Sequence, residues 1–137
     1  MNLIINTDGA SRGNPGAASY GFVIKDGKSG TILHQEGKVI GHATNNIAEY
    51  TAVLKGFEYI KNHYSHKAPH KIKLVADSKL IVEQLSGRYK LKNPKLKILF
   101  DQIKIIEFDL GEISYQHVPR AQNFIADRLA NNALDNS

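Results

Sequence analysis

Apolar residues recur along this chain with two different spacings, which separate predicted strands from predicted helices. Five short segments are rich in β-branched and aromatic residues and are bounded by Gly, Pro, Asn or Asp. These predicted strands are residues 2–7, 18–25, 31–40, 71–76 and 112–117. Helical spacing of apolar residues predicts four helices, at residues 45–64, 78–85, 94 to about 106, and 121–134. Asp26-Gly27 predicts a hairpin, and the Gly- and Pro-rich residues 11–16 predict a turn.

The order β-β-β-α-β-α-α-β-α predicts an α/β fold with a mixed sheet. Three strands joined by short turns favour an antiparallel meander, whereas strands separated by helices favour parallel crossovers. If the first and fourth strands are parallel neighbours, their ends meet where α/β sheets usually bind ligands. We expect a single domain over residues 1–137, because this length is sufficient for a hydrophobic core.

Four carboxylates lie where apolar segments are interrupted or end: Asp8, Glu49, Asp77 and Asp127. The first and third belong to strands or strand ends, and the other two lie on helix faces with apolar residues. Carboxylates gathered in apolar surroundings need a compensating charge, and hard divalent cations prefer oxygen ligands. The pattern therefore predicts a metal site. Taken singly, Asp77 has an alternative explanation as a helix cap, Glu49 as a partner of the helix dipole, and Asp127 as an exposed residue.

Composition favours a polyanionic partner. The chain has 18 Lys and Arg against 13 Asp and Glu, a net charge of +5. Five basic residues lie within residues 88–97, beside Tyr89, and form either a solvated face or a phosphate-binding strip. The absence of Cys excludes disulfides and fits a cytoplasmic location. No apolar run approaches the roughly 20 residues of a membrane span, and we expect no signal peptide.

Four phrases of the sequence resemble the type 1 ribonuclease H family. They are DGASRGNPG at 8–16, TNNIAEY at 44–50, ADS at 76–78, and HVPRAQN at 117–123 followed by ADRLA at 126–130. They occur in the family's order and extend over nearly the whole chain. The resemblance implies a ribonuclease H-like fold, a five-stranded mixed sheet flanked by helices. It also implies an endonuclease that hydrolyses the RNA strand of RNA/DNA hybrids and leaves 5′-phosphate and 3′-hydroxyl ends.

The same resemblance implies the catalytic residues. Asp8, Glu49, Asp77 and Asp127 would bind two Mg²⁺ ions, with Mn²⁺ as a substitute, and two such ions can drive an in-line displacement. His117 would assist proton transfer or product release, a role that suits the near-neutral pKa of an imidazole. A structural His at a strand end is the alternative.

Contacts with the hybrid are implied as well. Asn14, Asn45 and Asn46 would face the RNA, because an amide both donates to and accepts from a 2′-hydroxyl group. Thr44 and Asn46 would hold a phosphate of the DNA strand. Turn formation by Asn14 and helix capping by the other three are the alternative explanations.

Some positions depart from the family pattern. His42 stands where many members have Arg, and Lys79 stands where many have Gln; Lys79 cannot accept a hydrogen bond and is expected to meet phosphate. The chain has no Trp, so the Lys-rich segment 88–97 is expected to replace only part of the basic handle of some members. We expect no separate hybrid-binding domain.

Two further function classes stay open at this point. One is a related nuclease of the same fold that acts on double-stranded RNA or another nucleic acid, and the other is an inactive hybrid-binding module. We expect a cytoplasmic monomer whose partner is the hybrid, with no membrane contact. The other five histidines, at 34, 42, 63, 66 and 70, are predicted to lie at the surface.

Overall fold

A computed structural model describes residues 1–137. Its five strands are β1 (Asn2–Arg12), β2 (Gly16–Asp26), β3 (Ile32–Ala43), β4 (His70–Ala76) and β5 (Gly111–His117). Its four α-helices are α1 (Asn45–Tyr64), α2 (Lys79–Leu85), α3 (Pro94–Leu110) and α4 (Phe124–Asp135), with 3₁₀ turns at Ser65–Lys67 and Arg120–Asn123. None of the helices has the length and apolar character needed to cross a bilayer.

The strands form one mixed sheet in the order β3-β2-β1-β4-β5. β1 and β3 are antiparallel to β2, whereas β4 is parallel to both β1 and β5. The predicted α/β class and five-stranded mixed sheet are therefore confirmed, including the parallel pairing of the first and fourth strands. One face of the sheet packs on α1, α2 and α3, and α4 lies on the other face over β1, β2 and β3.

Several predicted boundaries were wrong, and two of these differences lie next to the predicted carboxylates. β1 continues to Arg12 because its ladder with β2 runs on through the Gly-rich phrase, from Asp8 opposite Gly21 to Arg12 opposite Ala17. The turn is correspondingly short and lies at Gly13 and Asn14, which both have positive φ. The last helix begins at Phe124 rather than 121, because residues Arg120–Asn123 form a 3₁₀ turn.

One histidine predicted at the surface is buried. His70 is 3% exposed, since it begins β4 and points to the same face as Ile72 and Leu74. His34 is half-buried and stacks on Tyr59, with 3.8 Å between ring centroids.

Two glycines let α4 approach the sheet closely. A Cβ at Gly21 would lie 2.5 Å from the carbonyl oxygen of Ala126 and 2.8 Å from the backbone nitrogen of Ala130. A Cβ at Gly37 on β3 would lie 2.4 Å from the carbonyl oxygen of Leu129. Since these are backbone atoms of α4, no side-chain rotation could relieve the clash. The depth at which α4 sits, and with it the position of Asp127, is thus set by these two residues.

We predict that Gly21→Ala lowers the free energy of unfolding by about 1–3 kcal/mol, because α4 has to move away from β2. Urea unfolding followed by circular dichroism measures this change. The matched control is Ala17→Ser, at an exposed position of the same strand, which should change stability by less than about 0.5 kcal/mol. Equal stability of the two variants would contradict the close packing of α4.

Candidate active site

Three carboxylates converge at one edge of the sheet. Asp8 lies within β1, Asp77 directly follows the neighbouring parallel strand β4, and Glu49 lies in the second turn of α1. The ligand atoms of these three residues all lie within 4.8 Å of one another. Asp8 is buried, and Glu49 and Asp77 are half-buried. Such a set of oxygen donors suits a hard divalent cation.

Gly9 explains how Glu49 comes so near to Asp8. A Cβ at Gly9 would lie 2.4 Å from both the carbonyl carbon of Ala48 and the backbone nitrogen of Glu49. The backbones of β1 and α1 therefore touch at this point. The space beside Gly9 is thus occupied by the protein's own helix.

The carboxylates are poorly compensated electrostatically. Burial, followed by the charges of Asp77 and Glu49, raises the pKa of Asp8 to about 8. Burial and the charge of Asp77 raise the pKa of Glu49 to about 7, and burial also raises the pKa of Asp77. Asp8 accepts a hydrogen bond from the backbone N–H of Gly9 at 2.9 Å. A bound cation would favour the ionised forms and remove most of this cost.

Asp127 lies on the wall of the same cleft, which has a volume of about 310 Å³, but its carboxylate is already engaged. Its Oδ1 accepts hydrogen bonds from the guanidinium of Arg120 at 3.1 Å and from the amide of Asn131 at 3.2 Å. The structure thus brings three of the four predicted carboxylates into one cluster and places the fourth at the rim. Its role as a metal ligand stays a prediction.

Sequence reasoning missed the residues that hold Asp127. Arg120 stands in a quoted phrase, and Asn131 lies one helical turn beyond Asp127, so helical spacing would have indicated it. Asn123 is buried; its amide donates to the carbonyl oxygen of Thr7 at 2.9 Å and accepts from Asn6 at 3.0 Å. These bonds fix the beginning of α4 on β1. An Asn inside the apolar first strand was the available signal.

The four predicted substrate-binding residues of the first two phrases lie together beside the cleft. The Oδ1 of Asn14 accepts from the backbone N–H of Asn45 at 3.0 Å. Thr44 caps α1 by accepting from the N–H of Ile47 at 3.2 Å. Asn46 follows in the first turn and is half-buried. The alternative explanations, turn formation and capping, therefore apply to Asn14 and Thr44, and they leave other polar atoms of both side chains free.

His117 and Lys79 lie near Asp77 on different elements. His117 is the exposed last residue of β5 and pairs with Ala76, which directly precedes Asp77. Lys79 is the exposed first residue of α2. Ser78 caps this helix by accepting from the N–H of Ile81 at 3.3 Å, so the capping explanation for Asp77 is wrong.

The basic segment 88–97 is partly neutralised by the protein itself. Arg88 pairs with Glu83 at 2.5 Å, and Lys97 pairs with Asp101 at 2.7 Å. Lys90, Lys92 and Lys95 are exposed and form no ion pair. Three of the five basic residues thus remain available to a phosphate.

Comparisons with known proteins agree with this geometry. A family model described as "Reverse transcriptase-like" matches residues 6–133. The ribonuclease HI of Halobacterium salinarum is 40% identical over 130 residues, which are 95% of this chain and 63% of that protein. The crystal structure of RNase H1 from the same organism superposes over 100% of both chains with a TM-score of 0.92 and 38% identity. The chain belongs to the type 1 ribonuclease H family.

Other members of the ribonuclease H family are equally similar. The crystal structure of LC11-RNase H1 in complex with RNA/DNA hybrid has a TM-score of 0.93 and 39% identity, and covers 98% of this chain and 97% of that chain. A bifunctional protein of Mycobacterium tuberculosis is 43% identical over 135 residues, 98% of this chain. The chain spans 36% of that mycobacterial protein and 63% of the halobacterial ribonuclease HI.

We predict that Asp8→Asn stabilises the metal-free ribonuclease H fold, and increasingly so as the pH rises from 4 to 8. Near pH 4, close to the ordinary pKa of 3.8, the unfolded chain has lost only about half of the Asp8 proton and the folded chain keeps it, so the difference between the two states is small. Toward pH 8 the unfolded chain has lost this proton, while the folded chain retains it because its pKa is raised to about 8. The free energy of unfolding of the unchanged protein therefore falls with rising pH, whereas Asn has no charge to bury.

The expected gain is about 1–3 kcal/mol at pH 8 in EDTA and at most about 0.5 kcal/mol at pH 4. Thermal unfolding at both pH values measures it. Glu112→Gln, at an exposed position of β5, is the matched control and should show no such pH dependence. A loss of stability in Asp8→Asn at pH 8 would contradict the repulsion among the three carboxylates.

Proposed function

We propose that the chain is a metal-dependent endonuclease that hydrolyses the RNA strand of RNA/DNA hybrids and leaves 5′-phosphate and 3′-hydroxyl ends. The observation that supports this most strongly is the cluster of Asp8, Glu49 and Asp77, with ligand atoms within 4.8 Å of one another. Buried negative charge next to a phosphodiester would only hinder binding, so an inactive binding module gains nothing from it. A cation-dependent reaction uses the same charge directly.

The carboxylates fit two divalent cations of the Mg²⁺ kind, with Mn²⁺ as a substitute. Asp8, Glu49 and Asp77 would hold them, and Asp127 would join after exchanging its bond with Arg120. When bound, such ions activate the attacking water and stabilise the leaving oxygen of an in-line displacement. His117, exposed at the end of β5, would take up or deliver a proton near the cleaved phosphate.

Recognition of the hybrid would use the polar atoms left free at the start of α1. The Asn14 amide nitrogen can donate to a 2′-hydroxyl, since only its oxygen is bonded to Asn45. The Thr44 hydroxyl hydrogen can reach a DNA phosphate, since only its oxygen caps Ile47. Asn45 lines the cleft, and Asn46 lies beside it, at a helix N-terminus that favours anions. Lys79 would bind a phosphate on the other side of Asp77.

We also propose that residues 1–137 act as one domain, as a monomer, in the cytoplasm. Lys90, Lys92 and Lys95 would serve as a partial basic handle for the DNA strand. The bound hybrid in the LC11-RNase H1 structure supports this class of substrate, because that chain is 39% identical to this one over nearly its whole length.

The decisive test is an end-labelled RNA/DNA hybrid incubated with Mg²⁺, Mn²⁺ or EDTA, beside single-stranded and double-stranded RNA. We expect cleavage of the RNA strand of the hybrid with either metal and none in EDTA. Asp77→Asn should reduce this cleavage by at least about 10³-fold, because it removes a charged ligand from the cluster. Binding of the hybrid should stay within about threefold of the unchanged protein.

Asp109→Asn is the matched control for Asp77→Asn, because Asp109 is exposed at the end of α3 away from the basic segment and its change removes the same charge. It should leave both cleavage and binding unaltered. Retained turnover in Asp77→Asn would remove that residue from the site, and absence of cleavage by the folded, unchanged protein would support the binding-module hypothesis. Cleavage of double-stranded RNA would broaden the substrate class.

His117→Ala should lower kcat by about tenfold to a hundredfold, at the low end of the effect of a general acid or base. The KM for the hybrid should change little, since His117 is not among the proposed RNA contacts. Steady-state kinetics between pH 6 and 9 measure both constants. The control is His66→Ala, because His66 is exposed in the 3₁₀ turn Ser65–Lys67, at the opposite end of β4 from Asp77. An unchanged kcat and pH profile would exclude a proton-transfer role for His117.

A further inference from the structure

The sheet has an uncovered face at the opposite end of β1 from the carboxylates. We call it the open face and define it by the outward-pointing residues of three adjacent parallel strands. These residues are Asn2, Ile4, Lys71, Lys73, Glu112 and Ser114. A shallow groove of about 210 Å³ lies between them. α4 covers the neighbouring strands of the same sheet face, but its packing contacts fall on β1, β2 and β3.

The sequence of these strands is that of a sheet face exposed to solvent. Strands in parallel pairs are normally covered on both faces and are then apolar throughout. β4 instead alternates, with Lys71 and Lys73 exposed between the buried Ile72 and Leu74. β5 alternates in the same way, with Ser114 exposed beside the half-buried Ile113. The open face is therefore encoded in the strands themselves.

Lysines are aligned across this face. In the strand register, Lys25 on β2 lies opposite Ile4, which lies opposite Lys73, which lies opposite Ser114. Lys71 lies two residues before Lys73 on β4 and points to the same side of the sheet. None of the three lysines forms an ion pair, and Glu112 is the one acidic residue of the open face. Their mutual repulsion would be relieved by a polyanion.

An exposed aromatic ring stands at the end of this row. Phe124, the first residue of α4, is 54% exposed and lines a small hollow together with Lys25. The guanidinium of Arg128 lies 5.7 Å from the centre of its ring. Basic side chains beside an exposed ring on a sheet are a common arrangement for single-stranded nucleic acid, because bases stack while phosphates meet the charges. An acidic peptide would use the lysines but not the ring.

The open face lies on the same side of the sheet as the carboxylate cluster. Ile4 and Asp8 point to the same face of β1 and are four residues apart, which is about 13 Å. The buried pair Asn6 and Asn123 separates the two areas. About four stacked nucleotides would span this distance. A strand that leaves the cleft would reach the lysines by passing over the 3₁₀ turn Arg120–Asn123, which Asn123 anchors on β1 between the two areas.

We propose that the open face binds single-stranded nucleic acid that continues beyond a hybrid held in the carboxylate cleft. Lys71 and Lys73 of the open face and Lys25 beside it on β2 contact its phosphates, and Phe124 of α4 stacks on a base. The inference rests on the proposed function, because the hybrid delivers the strand. It makes the preferred substrate a hybrid with a single-stranded extension rather than a blunt one.

The test measures binding in EDTA, so that it does not require cleavage. Fluorescence anisotropy compares a blunt 12-base-pair hybrid with the same hybrid bearing a 10-nucleotide DNA extension at either end. We expect the unchanged protein to bind one extended hybrid at least fivefold more tightly than the blunt one. The triple variant Lys25→Gln, Lys71→Gln, Lys73→Gln should lose this advantage. Its slope of log affinity against log salt for the extended hybrid should fall by about 2, from three phosphate contacts at about 0.7 each.

Two controls separate a local site from general charge. The triple variant Lys38→Gln, Lys55→Gln, Lys61→Gln removes three exposed lysines of β3 and α1 and should keep the advantage. Phe124→Ala changes no charge and should reduce the advantage by at least threefold. Melting temperatures of all variants establish that they fold.

Three results would overturn the proposal. Equal affinity of the unchanged protein for blunt and extended hybrids would remove the extended strand as the ligand. If the first triple variant loses affinity equally for the blunt and the extended hybrid, the three lysines contact the hybrid itself. If single-stranded DNA does not compete with the extended hybrid, and a Glu-rich peptide binds in a way that requires the three lysines, the face would be assigned to an acidic protein. None of these binding results concerns cleavage of the blunt hybrid with metal, and that separate assay tests the proposed function.

Discussion

The fold holds three carboxylates within 4.8 Å of one another, and packing elsewhere has to overcome their mutual repulsion. The parallel pairing of β1 with β4 brings Asp8 and Asp77 together, and the contact of Gly9 with α1 adds Glu49. Both features belong to the packed centre of the molecule, where Ile5 and Leu74 of the sheet and Phe57 of α1 are fully buried. A cluster of this kind would spread apart on flexible loops. Its position on the central strands explains how the protein tolerates it.

The second helix layer brings in Asp127, because α4 lies on the opposite face of the sheet from α1, which carries Glu49. Gly21 and Gly37 set the depth of α4, and Asn123 sets its starting point on β1. Arg120 and Asn131 then hold the Asp127 side chain at the rim of the cleft. Asp127 is thus fixed in position without adding its full charge to the cluster of the other three carboxylates. Pairing with Arg120 lowers the electrostatic cost while the cleft holds no cation.

Much of this arrangement could be predicted from the sequence, because the relevant signals are local. The hydrophobic spacing gave α1 its bounds, and the short turns and helical crossovers gave the mixed sheet. The Gly-rich phrase misled because glycine indicates a turn by composition, whereas here the β1–β2 ladder continues through it to Arg12. His70 was misplaced because an isolated His before a strand gives no sign of which face it takes. The engagement of Asp127 with Arg120 arises from a 3₁₀ turn and a helix meeting in three dimensions, which spacing alone does not specify.

One face of the sheet has opposite charges at its two ends, and this asymmetry has a physical use for a protein that handles nucleic acid. The carboxylates at one end repel a phosphate backbone unless cations are present, whereas Lys25, Lys71 and Lys73 at the other end attract it. Exposed charges are screened over about 8–10 Å in physiological salt, which is less than the roughly 13 Å between the two areas, so the carboxylates do not repel a strand held at the lysines. The lysines can therefore hold a strand near the cleft while the carboxylates are still uncompensated. Placement of a phosphate against the cluster would then be limited by cation binding rather than by encounter.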